Sequence, residues 1–276
     1  MLPPRLSPRL DVGQALREGW QAFTRAPWSF VGFSLLLTVL QLALQALQPS
    51  FSSDTLPPPV AIDPDTVPSQ LGAVLPWLRY GTVALCLILL NVVAGVILNL
   101  WGTAGMVRGA WIALQGGRPR LATFTHWDPR ALLRLYLPGF LLGWGITFVV
   151  AMVLLLAVVL SQANPLLALL PGVLLLVGAI YLTVSQAFLP QLALLHDDHP
   201  FAALARGFQE VAPAWPQVVQ LMALTLGLLV VGLMAAVVGL FVAWPLVVCI
   251  STAAYRQLFG PEDRNGFASS LPGGQA

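Results

Sequence analysis

The chain has 276 residues, of which 58% are hydrophobic and only 9% charged, with a formal net charge of +2. Ordinary soluble domains carry about 45–50% apolar and about 25% charged residues, so this composition excludes a soluble globule and implies lipid as the solvent. So small a charge points away from nucleic acid, and two cysteines set inside apolar runs, Cys86 and Cys249, make neither a disulfide framework nor a zinc pattern.

In chain order, residues 1–10 are punctuated by proline and read as a disordered N-terminus. Asp11 has the character of an N-cap, with Gln14 placed as the reciprocal partner of a capping box. In the helix that follows, Val12, Ala15, Leu16, Gly19, Trp20 and Phe23 recur at helical spacing on one face, and Gln14, Arg17, Glu18, Gln21 and Arg25 on the other. Too short and too charged to cross a bilayer, it is expected to lie at the membrane surface with Trp20 and Phe23 toward the acyl chains. About 27 residues with four arginines precede the first apolar run, which is itself of spanning length, so that run is expected to stay in the mature protein.

Roughly 18 or more apolar residues suffice to cross about 30 Å of hydrocarbon as a helix, and six such runs are present. The expected spans are about 28–47, 78–101, 138–160, 166–190, 217–237 and 244–258, making residues 11–259 one six-span membrane domain. Residues 48–76, rich in proline and aspartate, read as a disordered external loop, and the second helix is expected to project past its span toward Gly116. Asp128 and Pro129 suit an N-cap and first helical position, opening the helix that leads into the third span. The short turn from Ser161 to Pro165 makes the third and fourth spans antiparallel neighbours. A polar corner at His196–His199 then precedes Pro200 and a second short amphipathic helix, with Phe201, Leu204, Phe208 and Val211 on one face. A turn near Gly239 to Pro245 is expected before the last span, and residues 260–276 read as a disordered tail.

Six spans put both termini on one side, and every arginine except Arg79 falls on that side. Basic residues in short flanking loops set orientation, so both termini are expected to be cytoplasmic, with the protein multi-pass in a cell membrane. Trp28, Trp77, Trp101, Trp215 and Trp244 then sit near membrane edges, the preferred depth of interfacial aromatics, and Phe201, Leu204 and Phe208 join them on the second surface helix.

Ala15-Leu16-Arg17-Glu18-Gly19-Trp20-Gln21 matches Ala203-Leu204-Ala205-Arg206-Gly207-Phe208-Gln209 in alanine, leucine, glycine, aromatic and glutamine, and each is followed by proline and tryptophan. With a degenerate third copy near Phe124 to Leu135, this predicts an all-α bundle of three units, each an elbow helix followed by a hairpin of two spans. At these residues, with AFLPQLALL before the polar corner and AAYRQLFG after the last span, the chain resembles uncharacterised bacterial six-span proteins related to the membrane-anchor domain of glycerophosphoryl diester phosphodiesterases. The resemblance covers roughly Gly13 to Gly260. It implies the architecture and a bacterial plasma membrane, and not the phosphodiesterase reaction, which belongs to a separate soluble domain.

His196, Asp197 and His199 are the residues with metal-binding chemistry, but a polar corner followed by proline is also ordinary helix-start chemistry, which is the expectation taken, with no cofactor. Two polar stripes run inside spans, Gln41 and Gln45 below Thr38 on the first, Asn91 and Asn99 around Gly95 on the second. They read as hydrogen bonding between helices rather than a polar path, since neither carries an ionisable group. Gly105/Gly109 and Gly139/Gly143 read as close-packing motifs. With no catalytic constellation in the sequence, the expectation is a non-enzymatic protein whose partners are the bilayer and other membrane proteins or copies of itself. The alternative is a transporter of an apolar or lipid-like substrate.

Overall fold

The computed structural model describes residues 10–47, 67–196, 199–235 and 238–268. The helices are α1 (Val12–Arg25), α2 (Pro27–Ala46), α3 (Val67–Leu114), α4 (Leu121–Thr125), α5 (Pro129–Ala163), α6 (Leu169–Ser185), α7 (Leu189–Leu195), α8 (Pro200–Val211), α9 (Trp215–Met234) and α10 (Leu240–Phe259). The fold is all-α, and six of its helical stretches are long and apolar enough to cross a membrane. The chain divides into two compact units, one of residues 1–35 and 100–276 and the other of residues 36–99.

The smaller unit holds the second half of α2 and most of α3. Helix α3 begins at Val67, so residues 67–76 are helical and not part of a loop; residues 48–66 lie outside the described residues, as do 1–9. Asn91 donates its side-chain amide to the Leu44 carbonyl at 2.8 Å, a bond between the two helices, whereas Gln41, Gln45 and Asn99 are exposed.

In the larger unit, Asp128 caps α5 by accepting from the amides of Arg130 and Ala131, and α5 runs unbroken through Pro138 to Ala163. The fourth span is interrupted. Proline at 190 has no amide to donate and suits only the first turn of a helix, so α6 stops at Ser185 and α7 restarts at Leu189. The LPQLALL segment is therefore a separate short helix, buried at Leu189 and from Gln191 to Leu195. The last span starts earlier than the proline suggested: α10 opens at Leu240 and carries Pro245 inside it.

The elbows dock in an order that closes on itself. Helix α1, the first elbow, packs on α10, where a Cβ on Gly19 would stand 2.6 Å from the Ile250 Cα. In α8, a Cβ on Gly207 would stand 3.0 Å from the Ser185 carbonyl and 2.9 Å from the Gln186 side chain, at the break between α6 and α7. Between them in sequence, Phe124 of α4 fills the notch at Gly105 and Gly109 on α3. Each elbow thus rests on the last span of the preceding unit, and the first rests on the last span of the chain. The glycine shared by the two clear repeats is a point of close approach in both.

Candidate functional site

Where the elbows converge, the larger unit buries polar groups. Arg108, nearly two turns before the end of α3 at Leu114, is only 1% exposed. Removing a guanidinium from water costs several kcal/mol unless charge and hydrogen bonds replace the solvent. Its Nη1 donates to the His126 carbonyl at 3.1 Å, its Nε to the Phe267 carbonyl at 3.4 Å, and its Nη2 faces the Asp128 carboxylate at 3.7 Å. The Phe267 ring lies over it at 4.2 Å, a cation–π contact that is strongest when desolvated, and Asp263 adds to the negative field. Asp128 therefore both starts α5 and neutralises Arg108.

Phe267 is held in place by the segment after α10. Gly260, at a φ of 100° that L side chains rarely adopt, turns the chain out of the helix. Asp263 then accepts from the amides of Phe267 and Ala268 at 3.0 and 2.8 Å. The Arg264 amide donates to the Leu195 carbonyl, and the Asn265 side chain donates to the carbonyls of Leu194 and His196. Residues 260–268 thus form an ordered strap across the end of α7, correcting the expectation that the tail is disordered from Gly260. Residues 269–276 lie outside the described residues.

His196 is buried, with Nδ1 3.3 Å from the Tyr255 hydroxyl, while His199 is exposed and serves as the N-cap residue of α8. One histidine faces the protein and the other the surface. Asp197 lies outside the described residues, and among those described no three His, Cys, Asp or Glu side chains group together.

Two further arginines finish α3. The carbonyls of its last turn have no partners within the helix, and positive charge is favoured there. Arg25 of α1 donates to the Ala113 carbonyl, and Arg256 of α10 donates to that of Leu114 at 2.9 Å. The capping box at Asp11 is completed differently from the sequence expectation. Asp11 accepts from the Gln14 amide, but its own amide is met at 2.9 Å by Gln257 of α10, and the Gln14 side chain turns to Glu18.

The interfacial aromatics divide. Trp20, Trp28, Phe201 and Trp244 are exposed, as a lipid-facing position requires, and Leu204, Phe208 and Trp215 are half-buried, with Phe208 stacked on Tyr181. Phe23 departs from its expected place, and Trp101 is half-buried. Phe23 is buried and meets Phe30, which continues through Phe124 and Phe33 to Trp101, a chain of rings inside the protein. The amphipathic face of α1 therefore covers protein instead of lipid, because Ala15, Gly19 and Ala22 are small enough to let α10 approach. The side chain of Trp77 lies outside the described residues. Comparison with family models, curated proteins and solved structures finds no match to this chain.

Arg108, Tyr255, Asp263, Asn265 and Phe267 were not evident as a group in the sequence. The available signals were weak: an arginine among Gly105, Met106, Val107 and Gly109, and a turn-forming PEDRNG run after α10. Each of the charged groups is directed at a protein partner, and the arrangement acts as a fastening.

Proposed function

We propose that this is a non-catalytic membrane protein that organises its surroundings laterally, holding partner spans or lipid against its apolar flanks from a rigid polar end. The observation that carries the proposal is the contrast within the larger unit. Among the described residues the most apolar window of α5 has none buried, whereas Arg108, Trp111, Tyr255 and the α7 segment are almost wholly enclosed. Lipid is as apolar as leucine, so spans gain little by burying oil and associate through packing shape and hydrogen bonds. A protein built this way leaves its flanks available.

The proposal extends to orientation and kinship. Both termini are assigned to the cytoplasmic face, supported by the arginine distribution and by the Asp11–Gln257 bond, which joins the two ends of the six-span region. The elbow-and-hairpin plan supports kinship with the membrane-anchor domains that the sequence resembles.

Affinity purification of the full chain in mild detergent, with identification of co-purifying proteins and lipids, tests the function. A reproducible partner or an enriched lipid class is expected. Saturable transbilayer movement of a lipid-like probe in vesicles containing the protein, above that in empty vesicles, would overturn the proposal and assign a carrier. A C-terminal reporter fusion is expected to be active in the cytoplasm, and activity only outside would reverse the orientation.

A further inference from the structure

Helix α5 carries two adjacent rows along one exposed face. Tyr136, Phe140, Trp144 and Phe148 recur every four residues and are 37%, 43%, 63% and 66% exposed. Gly139, Gly143, Thr147 and Ala151 form the neighbouring row, all exposed, and a Cβ placed on either glycine would meet nothing within 4 Å. At 3.6 residues per turn the two rows are roughly 60° apart around the helix axis. One row is a ridge and the other a groove. Among the described residues the sequence expectation of close packing at Gly139 and Gly143 is therefore not met.

We propose that this face is the contact between two copies of the chain, paired through α5 about a two-fold axis normal to the membrane. Copies inserted with the same orientation present parallel helices, and a two-fold axis between parallel helices sets whatever lies on one side of the contact line against what lies on the other. The aromatic row of each copy then faces the small-residue row of its partner, the self-complementarity that an isologous dimer requires. Rows of four-residue spacing interdigitate at a crossing near −40° to −50°, the geometry that small-xxx-small helices adopt in membranes.

The ridge is already in order, since Tyr136 stacks on Phe140 at 5.3 Å and Phe140 meets Trp144 edge-on at 5.9 Å, so little side-chain entropy is lost on association. At about 150–250 Å² per aromatic side chain, the exposed fractions leave roughly 300–500 Å² on each copy. Two copies and the small-residue rows they cover together reach about 1,200 Å², the lower bound for specific interfaces. The protein also shows how it fills such a notch, because Phe124 seats its ring against Gly105 and Gly109.

The inference rests on the proposal that the apolar flanks work through contacts, and it names one of them. The test uses the full chain with Cys86→Ser and Cys249→Ala, reconstituted at low density in phosphatidylcholine–phosphatidylglycerol vesicles. A single cysteine is placed at Thr147→Cys, in the groove, or at Val149→Cys, which is exposed on the opposite side of α5. Oxidation should cross-link Thr147→Cys into dimers about tenfold or more faster than Val149→Cys, because pairing raises its effective concentration. Adding Gly143→Leu should bring the rate down to the Val149→Cys level while leaving thermal unfolding in detergent unchanged, since among the described residues nothing lies within 4 Å of a Cβ placed there. Equal rates at the two sites, or a rate indifferent to Gly143→Leu, overturns the dimer and leaves the face to lipid. Protection of both cysteines from aqueous maleimide, measured alongside, reports separately whether α5 is in the bilayer, and co-purification of another partner would leave the broader proposal standing.

Discussion

At the scale of residues, Arg108 shows how a charge is kept where water is not. Its guanidinium is held by the His126 carbonyl and Asp128 from the connection after α3, and by the Phe267 carbonyl and ring from a segment 159 residues away. Arg108→Leu should lower unfolding stability in detergent by about 1–3 kcal/mol, because the His126 and Phe267 carbonyls lose their donor. Asp128→Asn, which keeps the cap of α5 and removes the charge, should cost more with Arg108 present than in the Arg108→Leu background, by the worth of the pair. Thermal melts of the two single variants and the double variant measure the coupling. Gly19→Ala should cost about 1–3 kcal/mol, because its Cβ is driven into the Ile250 backbone. Gly145→Ala, whose Cβ meets nothing, should be neutral or gain up to about 1 kcal/mol from helix propensity.

At the scale of elements, the difference between an amphipathic helix on lipid and one on protein decides what a substitution does. The moment of α1 was legible from residue spacing, and so were the helix start at Asp128 and the close of α3 near Gly116. The identity of the surface beneath α1 was not legible, because spacing reports that a face is apolar and is silent on what covers it. The size of the residues was informative: alanine and glycine at 15, 19 and 22 let backbones approach, and Phe23 turns inward with them. The break before Pro190 and the continuation of α10 through Pro245 show the same limit for proline, whose cost depends on whether its turn has other support. Phe124→Ala should cost about 3–5 kcal/mol, as for a fully buried aromatic ring, and should loosen α4 from α3. Gln257→Ala should cost about 0.5–2 kcal/mol by leaving the Asp11 amide unmet, and Gln14→Ala should cost much less. Comparing the melts of these two variants separates the tertiary cap from the local one.

At the scale of the whole molecule, six apolar runs and two of the elbows could be read directly, whereas the strap at 260–268 could not. That strap has no periodicity, and its order comes from Asp263 and Asn265 reaching particular backbone groups that only the assembled fold brings near. The repeat in the sequence indicated three units without the rule that joins them. The rule is that each elbow leans on the span completed before it, and the first elbow has no such span until the end.

That closure sets a clock on biogenesis. Asp11 and Gln257 are 246 residues apart in the chain. At a synthesis rate of roughly 5–20 residues per second, α1 waits about 10–50 s after leaving the ribosome before its permanent surface exists. Through that interval its apolar face has only the lipid headgroup region or a chaperone to rest on, which is the surface habitat its amphipathic sequence suits. A chain halted before α10 should therefore carry α1 undocked and be cut by trypsin at Arg17 much faster than the full-length protein. Equal cutting rates would show that α1 finds its place without the last span.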